Sequence, residues 1–308
     1  GVDLHPVDFL QDLTVRVGHH DVHYGVRTAR VPGSDLWVYL VDCPPLFDRP
    51  RIYSDAHDEH VRYLMLTRAA FECCQRMGFA PQIVHANDWH TAFAPLLLRT
   101  AYAWDTACFG GAKSVFTIHN IGYQGVFSAG QAGDLAPGVG VEALHQADLA
   151  AGRVNPMRHG VIYADAVTTV SPTYAAEIRT PEGGHGLDAD LRARGAAVSG
   201  ILNGVDYEEW NPATDRYIPH RYDAASLAGK AHNKEALLDL LRMRSPPATP
   251  LVGMVTRLTR QKGLDLLYDT LPEVLERDAV RLVVLGSGEH HYEQFLHDLQ
   301  QRFPGRVV

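Results

Sequence analysis

The stretch PLVGMVTRLTRQKGLDLL, residues 250–267, holds a short apolar run, a basic turn and the start of an amphipathic segment. A short continuous apolar run bounded by turn residues is the pattern of a strand buried on both faces. The amphipathic segment predicts a helix over Leu264–Leu275, and VRLVVLGSGE (280–289) then returns as a second buried strand. Strand, helix and strand in this order specify a parallel sheet covered by helices.

The same alternation runs through the first two thirds of the chain. PQIVHA (81–86), SVFTIHN (114–120), AVTTVS (166–171) and VSGILNG (198–204) are short apolar runs separated by helical segments. The opening is different: VRVGHHDVHYGVRTARV (15–31) and DLWVYLVDC (35–43) alternate apolar and polar positions, as a hairpin and a following strand do. Asp58 to Met77 has helical spacing, with Val61, Leu64, Met65 and Ala69 on one face and Gly78 as its stop. WNPATDRYIPHRYD (210–223) has no steady period and reads as a linker strap, followed by a helix around Lys230–Met243 and a break at SPPATP (245–250). The expected organisation is α/β, with a first Rossmann-like unit over 1–204 and, over 205–308, the linker and the first part of a second. FPGRVV (303–308) reads as a loop entering a further strand, and Gly1 is not an initiator methionine, so the chain is expected to be a fragment. The edge of the VRLVVL strand is expected to be unpaired.

Composition excludes several classes. Of 308 residues 46% are hydrophobic, enough for ordinary cores. A net charge of −8 with interspersed signs argues against nucleic-acid and anionic-membrane partners, and no apolar run reaches the length of a membrane span. Cys43, Cys73, Cys74 and Cys108 have neither metal-ligand nor redox spacing, which points to a reducing, cytoplasmic setting. In GHHDVHYG (18–25), His19, Asp21 and His23 would share one face of a strand. With no fourth ligand nearby in sequence and no HExxH pattern, that segment reads as a solvated hairpin, and no metal site is expected.

In open α/β sheets ligands bind beyond the carboxyl ends of the parallel strands. That rule selects Asn87, Asp88, Trp89 and His90; then His119, Asn120 and the IGYQG loop; then Asn203, Gly204 and Asp206; then Arg257; and then Gly286 and Gly288. The chain has only four lysines, and Lys262 stands five positions after Arg257. A planar guanidinium and a mobile ammonium at one strand end could neutralise a diphosphate, especially a departing one. Gly286 and Gly288 would let the backbone approach a nucleotide. The bland alternatives are a solvated Arg-x4-Lys loop, a structural histidine at 119, Asp88 as a helix cap and glycines serving turn geometry. No GxGxxG or Walker pattern is present, against hydride-transfer and ATPase readings.

Taken jointly, LFDRPRIY (46–53), HANDWHTAFAPLLLR (85–99), FTIHNIGYQGVF (116–127), YADAVTTVSPTYAAEIRTPEGGHGL (163–187), GILNGVDYEEWNPATD (200–215) and VTRLTRQKGLDLL (255–267) resemble the glycogen synthase and bacterial starch synthase family of retaining glycosyltransferases. The resemblance implies the GT-B type of fold, two Rossmann-like domains facing across a cleft, here with the second incomplete. It implies transfer of glucose from ADP-glucose to the non-reducing end of an α-1,4-glucan, with no cofactor beyond the donor substrate. By the same resemblance Arg257 and Lys262 grip the donor phosphates and His119 lies against the donor glucose, which Asn203 also contacts. Asp88 stands in the cleft, contacting acceptor or supporting the site; the Tyr123-Gln124-Gly125 loop helps form the glucan groove, and Asn120, Gly286 and Gly288 are further substrate-binding candidates. The family's Lys-x-Gly-Gly loop and its late Glu-Pro-Cys-Gly-Leu block are not in this chain, so residues 1–308 by themselves are expected to be inactive. NPMRHG (155–160) departs from a lysine-containing, glycine-rich version, with Arg158 keeping the charge. Two other readings stay open: a retaining glycosyltransferase acting on a small sugar acceptor, and a non-catalytic glucan-binding descendant. Front-face attack and double displacement also both remain open.

Overall fold

The computed structural model describes residues 3–50, 54 and 56–308; Arg51, Ile52 and Tyr53 of the LFDRPRIY stretch lie outside the described residues. The chain divides into two compact units, Gly1–Asn203 and Gly204–Val308.

The first unit opens with antiparallel strands. β1 (His5–Pro6) pairs with β3 (His20–Arg30), which also pairs with β2 (Leu13–Val17) and β4 (Trp37–Asp42). The turn Gly18–His19 closes the β2–β3 hairpin with Val17 opposite His20. Val15, Val17, Tyr24 and Val26 point into the core, as the alternation predicts. The helix Glu59–Met77 follows and stops at Gly78 in left-handed backbone. Its face of Val61, Leu64, Met65 and Ala69 is buried, so the expected helical stripe is the packed one.

Four parallel strands form the centre of this unit: β5 (Ile83–Asn87), β6 (Lys113–Ile118), β9 (Ala166–Thr169) and β10 (Val198–Gly200), in the order β10-β9-β6-β5. Phe116, Ile118 and Val167 are fully buried on one face, while His85, Thr117 and Thr168 on the other hydrogen-bond to one another across the strands at 2.7 and 2.6 Å. Between β6 and β9 a two-stranded ribbon, β7 (Phe127–Ser128) with β8 (Arg153–Val154), carries the chain out and back. The helix Pro156–Tyr163 returns it to the sheet and packs on Ala94–Arg99.

The second unit repeats the logic at smaller scale. β11 (Leu251–Val255) and β12 (Arg281–Leu285) are parallel over five residues, from Leu251 opposite Arg281 to Val255 opposite Leu285, but they are not buried on both faces as the apolar runs suggest: Val252, Val255 and Leu285 are exposed. The connection contains the helix Leu267–Arg277, preceded by a 3-10 turn at Leu264–Leu266. Leu275, Leu282, Leu299 and Val307 form its core, with a second cluster of Leu258, Leu264 and Tyr292. The strap at 210–223 contains neither helix nor strand, and Ala228–Leu240 is the helix expected after it. One expectation is corrected here. The outer edge of β12 is paired, because the chain turns after the helix His290–Arg302 and Val307 bridges Leu282 in parallel. The Leu282 N–H donates to the Arg306 carbonyl at 2.8 Å, and the Val284 N–H to that of Val308 at 2.9 Å.

The NPMRHG departure has a structural explanation. Arg158 donates to the buried Asp148 at 2.7 Å and to the Gly186 carbonyl at 2.6 Å, and lies 3.0 Å from Asp190. It therefore joins segments far apart in sequence. His159 is buried and neutral: its Nδ1–H donates to the Asn155 carbonyl, while Nε2 accepts the His145 N–H. Burial pushes its pKa down. Burial alone would push the Asp148 carboxyl up, but the hydrogen bond from Arg153 and the charge of Arg158 outweigh it and hold the group below its usual range. A depressed carboxylate stabilises the fold above its unfolded value, about 4, and that contribution fades as pH falls through the folded value. Arg158→Ala, which leaves Asp148 buried without that partner, is expected to cost about 3–5 kcal/mol at pH 7. Urea unfolding at several pH values checks this: the gap between wild type and variant narrows below about pH 4 as Asp148 protonates.

Candidate active site

In the first unit the site begins where β5 ends. Asp88 sits at φ +53°, left-handed backbone that few residues other than glycine adopt. Strain of this kind collects at functional positions when neighbouring groups hold it in place. Here the holding groups are on the next strand: the Asp88 carboxylate accepts the N–H of His119 at 2.8 Å and that of Asn120 at 3.3 Å. Asp88 does not cap the helix that begins beside it; the cap position is Asn87, and no side chain caps there. Its role is to tie the ends of β5 and β6 together.

Asn87 completes the tie. Its Oδ1 lies 3.0 Å from His119 Nε2. With Asn87 presenting the amide oxygen, Nε2 carries the proton and Nδ1 of a neutral ring is left as an acceptor. Thr91 braces Asn87 from below, its hydroxyl accepting the Asn87 N–H at 2.7 Å and donating to the Asn87 carbonyl at 3.0 Å. The His119 side chain is thus exposed but oriented from one side.

The loop after His119 is fixed by its own polar groups. Asn120 accepts the Gly122 N–H at 3.0 Å, and the Tyr174 hydroxyl accepts the Ile121 N–H at 3.1 Å. Gln124 donates to the carbonyls of Ile121 and His185 and accepts from Asn155 at 2.6 Å. All of these bonds are internal, so Gln124 shapes the loop. Gly125 is at φ +68°, and a Cβ there would lie 2.1 Å from the Trp89 ring. Only glycine lets this loop lie flat on Trp89, whose other neighbours are Tyr63, edge-on at 4.9 Å, and His90, stacked at 4.2 Å. Tyr123 is the exposed member at the tip. Asn203 lies beyond β10 in an exposed, irregular segment, after Ile201 has donated to the Thr169 carbonyl at 2.8 Å.

In the second unit Arg257 follows β11, and Lys262 closes the 3-10 turn Arg260–Lys262. Backbone bonds set this turn: the Lys262 N–H donates to the Thr259 carbonyl at 3.0 Å and the Thr259 N–H to that of Arg257 at 3.1 Å. Both basic side chains are exposed, and neither makes an ion pair among the described residues. Arg260, between them, faces Asp265 at 3.8 Å. Gly286 and Gly288 have an immediate structural use: a Cβ would lie 2.0 Å from the Thr256 carbonyl oxygen and 2.2 Å from that of Leu258, respectively. The close approach present is that of one strand-end loop to the other, and the Gly288 amide is held by Glu293 at 2.9 Å.

The structure therefore brings Asp88, His119 and Asn120 together with Tyr123, Gln124 and Gly125 in the first unit, and Arg257 and Lys262 with Gly286 and Gly288 in the second. Sequence reasoning missed Asn87 as the partner of His119 and Trp89 as the floor of the loop. Both stand in the HANDWH block, but which strand they face is a long-range fact.

A family profile described as the starch synthase catalytic domain matches residues 3–193. The chain is similar to the glycogen synthase of Anaeromyxobacter sp., 46% identical over 96% of this chain and 66% of that protein. It is similar to that of Myxococcus xanthus, 43% identical over 96% of this chain and 62% of the relative. Among solved structures, the catalytic domain of Starch Synthase IV from Arabidopsis thaliana bound to ADP and acarbose superposes with a TM-score of 0.87 at 35% identity, covering 99% of this chain and 62% of that one. The α/β class and GT-B type expected from the sequence hold, and the chain spans roughly three fifths to two thirds of the length of these relatives.

If Asp88 acts by accepting the two amides of residues 119 and 120, Asp88→Asn, which keeps a carbonyl acceptor and tolerates left-handed backbone, is the mild substitution. Asp88→Ala is expected to cost about 1–3 kcal/mol of stability and Asp88→Asn less than half of that. Equal losses in denaturant unfolding would show that the negative charge, and not the acceptor, holds the loop.

Proposed function

The chain belongs to the starch synthase catalytic-domain family, and from that premise we propose that the protein carrying it transfers glucose from ADP-glucose to the non-reducing end of an α-1,4-glucan with retention of configuration. The observation that carries this reading is the pair of exposed, ion-pair-free cations, Arg257 and Lys262, on a backbone-braced turn at the end of β11. In a chain of net charge −8, such a pair is a local anion site and not part of a general basic surface. The ADP named in the related plant structure supports a diphosphate as that anion.

On this reading Arg257 offers a planar fork to phosphate oxygens and Lys262 a compact charge, and both bind more strongly as the leaving diphosphate gains charge. Departure of ADP leaves an oxocarbenium-like glucosyl group. His119 and Asn203 contact that sugar, with His119 oriented by Asn87; Asp88 is a positioning residue that holds the His119 backbone. The Tyr123–Gly125 loop contributes to the glucan groove, with Tyr123 its exposed contact. Gly286 and Gly288, without side chains, let the backbone approach the nucleotide. Among the described residues no helix is long and apolar enough to cross a membrane. The free thiols of Cys43, Cys73, Cys74 and Cys108 suit a reducing compartment, and we place the reaction in the bacterial cytoplasm. Because the chain covers only part of its relatives' length, residues 1–308 alone are proposed to be insufficient for turnover.

The test is glucosyl transfer by the whole protein from ADP-glucose to a glucan primer, alongside small sugar acceptors. Arg257→Ala and Lys262→Ala are each expected to lose at least about a hundredfold in transfer, with poor rescue by Arg257→Lys. His119→Ala and Asn203→Ala are expected to lose transfer while keeping wild-type ADP affinity. Near wild-type rates in both clamp variants would end the phosphate assignment. Transfer confined to a small acceptor would replace the glucan, and no turnover at all would leave a glucan-binding descendant.

A further inference from the structure

The hairpin that reads as solvated in the sequence meets a carboxylate from more than a hundred residues away. His19 lies in the turn, not on a strand, and β3 begins at His20. Asp21 and His23 therefore do not join His19 on one face: Asp21 lies 3.7 Å from Arg16, and His23 Nδ1 lies 2.8 Å from the Thr14 hydroxyl. What faces His19 and His20 is Asp134, in the 3-10 segment Ala129–Leu135. His19 Nδ1 is 3.7 Å and His20 Nε2 4.0 Å from Asp134 Oδ1, and one ligand atom from each residue lies within 4.8 Å of the others.

We propose that His19, His20 and Asp134 bind a first-row divalent transition cation of the Zn2+ type, with His60 as the outer partner that aims the Asp134 carboxylate. Two ligand atoms each about 2.0–2.1 Å from a tetrahedral zinc lie about 3.3–3.4 Å apart, so the 3.7 and 4.0 Å separations from Asp134 Oδ1 would each have to shorten by less than about 1 Å on binding, a movement open to the exposed His19 and His20 rings. Two imidazoles and one carboxylate are a ligand set for such a cation, and three protein ligands leave a fourth position for water. The buried His60 lies with Nε2 2.8 Å from Asp134 Oδ2 and its ring stacked on Phe127 at 4.4 Å. That bond occupies one carboxylate oxygen and leaves Oδ1, which accepts no hydrogen bond among the described residues, facing the two rings. A metal ligand held by an outer hydrogen bond is oriented before the ion arrives.

The hairpin is already pressed onto this segment. The Gly18 N–H donates to the Ala136 carbonyl at 2.7 Å, and a Cβ on Gly18, at φ +58°, would lie 2.6 Å from Asp134 Oδ1. The His19 ring is largely exposed, which gives an ion a path in from solvent. The bound cation would staple the β2–β3 turn to the Ala129–Leu135 segment, a structural role separate from the strand-end residues above.

The experiment uses the full chain, stripped with chelator, and two probes. Zn2+ is titrated calorimetrically, and Co2+ is followed by its visible d–d absorption. The expected result is one tight equivalent, a Co2+ spectrum with nitrogen and oxygen ligation, and a Tm raised by roughly 5 °C at a hundredfold excess over Kd. His19→Ala, on an exposed ring, is expected to weaken binding at least tenfold without loss of fold, as is His20→Ala. His60→Gln is expected to weaken it about 10- to 100-fold through the carboxylate alone. His23→Ala is expected to leave binding unchanged. Zn2+ binding that survives in the His19→Ala/His20→Ala double variant, or that is lost in His23→Ala, would overturn the site; so would the absence of a tight equivalent in the folded wild type.

Discussion

Parallel register is the constraint on which the rest of this structure depends. Parallel neighbours cannot be joined by a tight turn, so each strand is followed by a crossover and all strands end at the same edge. In the first unit that edge gathers Asn87, Asp88, His119 and Asn120 from two strands more than thirty residues apart. In the second it gathers Arg257 and the Gly286–Gly288 turn. The strand ends are then tied to one another, by the Asp88 carboxylate in the first unit and by the Leu258 N–H to the Ser287 carbonyl at 2.9 Å in the second. Polar groups stand together because the sheet delivers them there, and they stay in place because they hydrogen-bond across strands.

Charge is used in two ways. In the first unit several arginines are committed to the fold: Arg49 pairs with Asp58 at 2.7 Å and Glu59 at 3.0 Å, and Arg158 with Asp148 and Asp190. Removing one partner from such partly buried pairs leaves an uncompensated charge, which ties these residues to stability. Arg257 and Lys262 are exposed and make no ion pair among the described residues, while backbone bonds hold the turn that carries them. A cation kept free in an acidic protein contributes little to folding and is available to an anion. The contrast supports the assignment of these two to ligand and of Arg158 to structure.

Much of this was legible locally. Apolar run length and flanking turn residues located all six parallel strands, and a stripe of Val61, Leu64, Met65 and Ala69 located both the first long helix and its buried face. The strand-end rule named Asp88, His119 and Arg257 without any structure. What was not legible is what depends on partners distant in sequence. Asp88 could equally have capped the adjacent helix, and only the neighbouring strand decides that it accepts from residues 119 and 120. Gln124 reads as a groove residue, yet its amide is taken up by Ile121, His185 and Asn155. His19 and His20 lack a further ligand within their own segment, and Asp134 reaches them only through the fold. The pairing of β12 with Val307 likewise depends on a chain reversal that short-range periodicity does not encode.

The most direct measurement of the central claim is hydrogen–deuterium exchange of the protein with and without ADP-glucose, read by peptide. If the turn after β11 takes the donor phosphates, amides of residues 257–263 gain protection on binding, while the β2–β3 hairpin at 13–30 is unchanged. Donor binding that leaves 257–263 exchanging as in the free protein, with protection elsewhere, would contradict the account.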